Sequence, residues 1–207
     1  MKFPNRGLYA VTQTEHKAAA TVIEEVEAAI VGGAAVVQYR DKSSADTSKL
    51  AYELVKVCHH HQVPLIINDN VELAAKIGAD GVHLGKDDGY VQNARNHLGA
   101  DAIIGVSCYN AIERALLAQQ QGATYVAFGR FFPSGSKPLA APAQLNTLTE
   151  ARAVLSIPIV AIGGILPENG GQLLAAGADL LAVIGGLFNA DPQTSAAAFQ
   201  SLFSKKS

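Results

Sequence analysis

The chain has 207 residues, 49% of them hydrophobic and 16% charged, with 19 Gly, 8 Pro, two Cys and no Trp. A charged fraction below the roughly 25% of an average soluble protein argues against disorder, and the length fills one hydrophobic core without disulfide or metal staples. The formal net charge of −2, with basic residues scattered, argues against nucleic acid or an anionic membrane as partner, so any bound anion needs a local site.

In chain order, β-rich runs are predicted near residues 7–12, 35–40, 64–68, 81–85, 102–107, 125–130, 158–163 and 180–185. Four times a helical stretch ends in Gly and a β run follows almost at once: GGAAVVQYRD from Gly32, GADGVHLG from Gly78, GATYVAFGR from Gly122 and GADLLAVIGG from Gly177. Glycine there suits a left-handed helix cap. Residues 19–31 are the clearest amphipathic helix, with Val22, Ile23, Val26 and Ile30 on one face and Glu24, Glu25 and Glu27 on the other. Eight such units at roughly 25-residue spacing predict a single-domain α/β fold over residues 1–207, the (β/α)₈ TIM barrel, with an open doubly wound sheet as the alternative.

No apolar stretch approaches the roughly 20 residues that span a bilayer. The start, MKFPNRGLYAV, lacks the long apolar core of an export signal, so a cytoplasmic protein is expected. Cys58 and Cys108 have neither CxxC nor Cys/His ligand spacing and read as buried thiols. His59, His60 and His61 close a helix, where they are expected to favour its dipole.

In a barrel of this kind, chemistry gathers at the C-terminal ends of the strands. The second strand ends in QYRDK, residues 38–42, where alternation puts Gln38, Arg40 and Lys42 on one side and Tyr39 and Asp41 on the other. Arg40 and Lys42 together suit an anion. The third strand ends in Asn68 and Asp69 and the fourth runs into GVHLGKDD, with Asp87 and Asp88. Carboxylates beside an anion site imply a bridging Mg²⁺, while each Asp alone would serve equally as a helix N-cap. His83 shares a strand face with Gly81 and Gly85, which suits either the barrel mouth or a hydrogen-bonded structural role.

Ser107 ends the fifth strand, and the loop after the sixth carries Ser134, Gly135, Ser136 and Lys137, small hydroxyls beside a cation that suit oxyanion contacts. Two diglycines, in AIGGI (161–165) and VIGGL (183–187), sit at the last two strand ends, where missing side chains let main-chain N–H groups approach a phosphate. No GxSxG, HExxH or GxxxxGK[ST] motif occurs.

QYRDK, IND, GVHLGKDD, the strand 6 loop ending in SK, and IGGI, in this order and spacing, resemble the thiamine-phosphate synthase family across essentially the whole chain. The resemblance implies an enzyme that joins an aminopyrimidine carrying a diphosphomethyl group to a carboxylated thiazole phosphate, releasing diphosphate and carbon dioxide. It implies that Gln38, Tyr39, Arg40, Asp41, Lys42, Asn68, Ser107 and Lys137 bind the pyrimidine diphosphate. Ser134, Gly135, Ser136, Gly164, Ile184 and Gly185 would bind the thiazole phosphate, and Asp69 and Asp88 would hold Mg²⁺.

Arg40, Lys42 and Lys137 would then be the catalytic cations, stabilising charge on the departing diphosphate in a dissociative substitution. The partners expected are small phosphorylated substrates alone. Lys86 stands where the family usually has Gln, Ser134 and Ser136 where Thr is commoner, and GRFF where GPIF is commoner. Two alternatives carry fewer of these residues: a sister thiazole tautomerase on the same barrel, and a non-catalytic barrel that only binds a phosphorylated thiazole.

Overall fold

The eight apolar runs form eight parallel strands in a computed structural model that describes residues 1–41, 48–85, 91–133 and 142–204. These are β1 (Gly7–Val11), β2 (Ala34–Tyr39), β3 (Leu65–Asn68), β4 (Gly81–Leu84), β5 (Ile103–Tyr109), β6 (Tyr125–Gly129), β7 (Ile159–Ile162) and β8 (Leu180–Val183). Each pairs with its neighbour in sequence, and β1 pairs in parallel with β8, so the sheet closes into the expected barrel. The helices between them are α1 (Ala19–Val31), α2 (Ser48–His60), α3 (Val71–Ile77), α4 (Val91–Leu98), α5 (Ile112–Gln120), α6 (Leu145–Val154) and α7 (Pro167–Ala175), followed after β8 by α8 (Gly185–Phe188) and α9 (Pro192–Ser204). No helix among the described residues is long and apolar enough to cross a membrane.

Strand alternation separates two cores. Outward residues such as Leu8, Ala10, Val37, Tyr39, Leu65 and Ile67 pack beneath the helices, where α1 contributes Val22, Val26 and Ile30. Inward residues Tyr9, Val11, Val36, Ile66, Ile103, Tyr125, Val160 and Leu180 fill the barrel. The Tyr125 phenol fits because the position facing it is glycine: a Cβ on Gly105 would lie 2.0 Å from the Tyr125 ring. Phe3 closes the N-terminal end, stacked on Tyr125 with ring centroids 4.2 Å apart and edge-on to Tyr9 at 6.2 Å.

The repeated glycine joins have a structural purpose at this end. Positive φ falls on Gly78, Gly122 and Gly177, whereas at the first join Gly32 is right-handed and Gly33 carries the positive φ. Two residues beyond the glycine, three of the joins supply a side-chain acceptor to the main chain of an adjacent strand. Asp80 Oδ2 accepts from Leu65 N–H at 2.9 Å, Thr124 Oγ1 from Ile104 N–H at 3.0 Å and Asp179 Oδ2 from Ile159 N–H at 2.7 Å. The repeat therefore satisfies main-chain donors at the N-terminal rim, where the parallel ladder begins.

Asp80 does more than its counterparts. Its carboxylate also meets the N-terminal ammonium at 2.8 Å and His59 Nε2 at 2.9 Å, so His59 does more than favour the α2 dipole. His61 likewise reaches Glu27 on α1, at 3.1 Å. Burial opposes ionisation of Asp80, but hydrogen bonds from the N-terminal ammonium, Leu65 N–H and His59 outweigh it and hold the carboxyl below its usual range. Both cysteines are buried, and burial pushes each thiol up to about 12, as befits packing groups.

Replacing Asp80 by Asn should lower stability to urea at neutral pH by roughly 2 kcal/mol, because charge-assisted hydrogen bonds are lost. With its folded pKa depressed, the carboxylate's contribution is complete well above roughly pH 3.9 and disappears as the pH falls through the folded value. The gap between Asp80→Asn and the parent should therefore shrink in acid-limb unfolding curves.

Candidate active site

A cavity of about 640 Å³ opens at the C-terminal ends of the strands, within the range of roughly 300–1,000 Å³ typical of small-molecule sites. Its floor is the inner core and its rim is built from strand ends and the loops that follow. The sides of this mouth differ in chemistry.

On one side, β2 presents Gln38 and Arg40 to the cavity. Their exit from the sheet is fixed by Thr12, a buried residue after β1, whose main-chain N–H donates to Gln38 O at 2.9 Å. The Thr12 hydroxyl donates to Arg40 O at 3.1 Å and accepts from Arg40 N–H at 2.9 Å. The Arg40 guanidinium is mostly buried and lies 3.8 Å from the Glu15 carboxylate, which also lines the cavity. Tyr39 and Asp41 turn the other way: Tyr39 lies in the outer core and its hydroxyl donates to Asp41 Oδ2 at 3.1 Å. Neither lines the cavity.

At the end of β3, Asn68 faces the cavity and its Nδ2 donates to Asp69 Oδ2 at 2.5 Å. Asp69 is exposed and left-handed, with φ of 62°, a conformation that Asp tolerates better than most residues. It is not the cap of α3; that role falls to Asn70, whose side chain accepts from Leu73 N–H at 2.8 Å. The Asp69 carboxylate thus stands at the rim as a hard oxygen donor of the kind Mg²⁺ takes. Its proposed partner Asp88 lies outside the described residues, as do Lys42, Ser134, Gly135, Ser136 and Lys137.

Alternation along β5 turns Ser107 and Tyr109 into the mouth and Cys108 into the outer core, and the register with β6 shifts between Ser107 and Tyr109. Arg114 on α5 holds the strand end, donating to Ser107 O at 2.7 Å and to Gly85 O at 2.9 Å. His83 faces inward and is hydrogen-bonded, to the Tyr125 hydroxyl and to Ser107 Oγ, so both expectations for it hold together.

The opposite side is main chain. Gly163, Gly164, Ile184, Gly185 and Gly186 all line the cavity. Gly164 has φ of +64°, and a Cβ there would lie 2.4 Å from Pro133 O and 2.8 Å from Phe132 Cβ. The loop is braced by Asn169, which donates to Gly164 O at 3.1 Å and accepts from Leu166 N–H at 2.9 Å. Gly185 and Gly186 open the single turn of α8, where first-turn N–H groups have no intrahelical acceptor. This is the usual phosphate position of such barrels.

Several cavity residues escaped the sequence reading: Tyr9, Gln13, Glu15, Tyr109, Arg130 and Asn189. Arg130 had a signal, since it follows Gly129 directly at the end of β6.

Residues 8–187 match the thiamine monophosphate synthase family. The chain is 53% identical over 201 residues to the thiamine-phosphate synthase of Nitrosococcus oceani, spanning 96% of this chain and 93% of that one. The chain belongs to the thiamine monophosphate synthase family. The thiamine-phosphate synthase of Methylococcus capsulatus is 52% identical over 192 residues, 92% of this chain and 85% of its own. Among solved structures, the thiamine phosphate pyrophosphorylase of Pyrococcus furiosus superposes with a TM-score of 0.86 at 30% identity, over 96% of this chain and 95% of that one. Membership in the thiamine monophosphate synthase family makes the chain a transferase of thiamine biosynthesis.

Gly164→Ala should weaken binding of inorganic phosphate about tenfold, through strain of order 1–3 kcal/mol at the left-handed position and displacement of Phe132 and Pro133. Phosphate titration followed by calorimetry measures it.

Proposed function

We propose that the chain condenses 4-amino-2-methyl-5-(diphosphooxymethyl)pyrimidine with a carboxylated thiazole phosphate, giving thiamine phosphate, diphosphate and carbon dioxide. The observation that supports this is a single mouth with two unlike sides: Gln38, Arg40, Asn68 and Ser107 on one, the amides around Gly164 and Gly185 on the other. Relatives 52% and 53% identical that carry the synthase name favour this over a tautomerase or a purely binding barrel.

In this reading the pyrimidine ring lies against Gln38 and Ser107, with its diphosphate toward Arg40, Asn68, Lys42 and Lys137. The Gly164, Ile184 and Gly185 main chain, with Ser134, Gly135 and Ser136, takes the thiazole phosphate. The bond from the methylene carbon to the diphosphate oxygen breaks first, its electron pair leaving with diphosphate. Arg40, Lys42 and Lys137 would stabilise that growing charge electrostatically. The aminopyrimidine ring delocalises the methylene cation until the thiazole nitrogen donates its lone pair; the ring carboxylate then leaves as carbon dioxide, its bonding pair staying on the ring carbon, which takes a proton from water. No side chain needs to remove a proton for the carbon–nitrogen bond to form.

Mg²⁺, which Asp69 and Asp88 would hold, would add positive charge against the diphosphate oxygens. Thr12 keeps Arg40 at its station, and Glu15 limits the guanidinium's freedom until an anion competes for it.

Incubation of the protein with both substrates and Mg²⁺ should yield thiamine phosphate and one diphosphate per turnover; absence of both products would overturn the reading. Lys137→Ala should lose about 10²- to 10³-fold in turnover, by analogy with removal of a transition-state donor, while retaining thiazole phosphate affinity in calorimetry. Asp69→Asn should raise the Mg²⁺ concentration needed for half-maximal rate while leaving thermal unfolding nearly unchanged, because its side chain is exposed.

A further inference from the structure

Five polar side chains from five strands form one hydrogen-bonded line along the floor of the cavity, which Tyr9 and His83 line together with Gln38 and Ser107. Gln38 Nε2 donates to the Tyr9 hydroxyl at 2.9 Å, and the Tyr9 and Tyr125 hydroxyls lie 2.7 Å apart. The Tyr125 hydroxyl lies 3.0 Å from His83 Nδ1, and His83 Nε2 lies 2.9 Å from Ser107 Oγ. Both ends of the line, Gln38 and Ser107, face the cavity.

With Gln38 Nε2 as the donor, the line runs in one direction. Tyr9 is fully enclosed, and among the described residues its hydroxyl meets only Gln38 Nε2 and Tyr125. The Gln38 nitrogen is a donor, so the Tyr9 proton goes to the Tyr125 oxygen. Tyr125 must then send its own proton to His83 Nδ1. Burial keeps both phenols protonated, so neither bond can be made by a phenolate instead. A neutral imidazole that accepts at Nδ1 carries its proton on Nε2, and that proton goes to Ser107 Oγ. The Ser107 proton is left to point into the cavity, and Gln38, whose nitrogen is held below, turns its Oε1 toward the ligand.

The geometry points to Tyr9, Tyr125 and His83 as positioning residues that set the polarity of the two groups above them, an acceptor at Gln38 Oε1 and a donor at Ser107 Oγ. That pair selects an aminopyrimidine, whose amino N–H meets the acceptor and whose ring nitrogen meets the donor. The 4-oxo counterpart sets a carbonyl oxygen against Gln38 Oε1, two acceptors in contact inside a buried site, which is the costliest kind of mismatch. The inference rests on the synthase reading for the ligand's identity and adds to it the origin of the discrimination. Tyr9 and Tyr125 lie outside the motifs that mark the family, His83 lies within GVHLGKDD, and the role assigned to all three is to orient Gln38 and Ser107.

The test compares binding of the aminopyrimidine monophosphate and its 4-oxo counterpart by calorimetry, with inorganic diphosphate as a control for an intact mouth. The parent protein should prefer the amino ligand by about tenfold or more. Tyr125→Phe keeps the ring stack on Phe3 and Tyr9→Phe keeps its packing. Each should bring the preference below about threefold while diphosphate affinity stays within about twofold, because only the direction of the line is lost. In the parent, the ¹⁵N spectrum of His83, assigned by its loss in His83→Gln, should show the proton on Nε2.

A preference unchanged in both variants, or a proton on Nδ1, overturns the inference. Protein that makes thiamine phosphate yet binds the two pyrimidines alike overturns it and leaves the synthase reading standing. Protein that makes none yet shows the preference and its loss in both variants overturns the synthase reading alone.

Discussion

Parallel pairing of β1 with β8 is the constraint from which the rest follows. Once the sheet closes, every strand runs the same way, every crossover helix lies outside, and all eight C-terminal ends share one rim. Residues as distant in sequence as Gln38 and Gly185 then face one cavity, with no segment dedicated to bringing them together. Closure also removes sheet edges, so main-chain donors at the two rims need other partners. At the N-terminal rim the Asp80, Thr124 and Asp179 side chains supply acceptors. At the C-terminal rim the Gly164 and Gly185 main chain is instead left facing the cavity, where an anion can use it.

The interior of the barrel divides by depth. Below the cavity, Gly105 leaves room for the Tyr125 ring, Phe3 stacks on that ring, and the filling is largely apolar and aromatic. Above it the same strands carry Gln38, Ser107, Arg40 and Asn68. Tyr9 and Tyr125 belong to both layers, with rings in the apolar floor and hydroxyls in the polar line. Packing of the floor and orientation of the site are therefore coupled through two side chains.

The fold was legible because its repeat is local: each glycine join and each β run occupies about ten residues, and strand ends read from sequence agree with the structure to within two residues at all eight strands. The diglycine side was legible for the same reason, since Gly164 and Gly185 act through their own main chain. Alternation along QYRDK correctly separated Gln38 and Arg40 from Tyr39 and Asp41, although the family motif treats the run as one binding unit. Thr12, Tyr9 and Tyr125 were illegible because their roles come from pairings across 28 and 116 residues that leave no mark on any short stretch. Asp69 and Asn70 were equally good caps by composition, and only the direction of the chain as it leaves β3 decides for Asn70.

The Phe3 plug bears on how the polypeptide assembles as it is made. Phe3 is synthesised well before its stacking surface, Tyr125, and the β8 edge that β1 needs comes later still. Through most of translation the first strand keeps an open hydrogen-bonding edge and an uncovered aromatic ring, the pair of features that invites wrong partners.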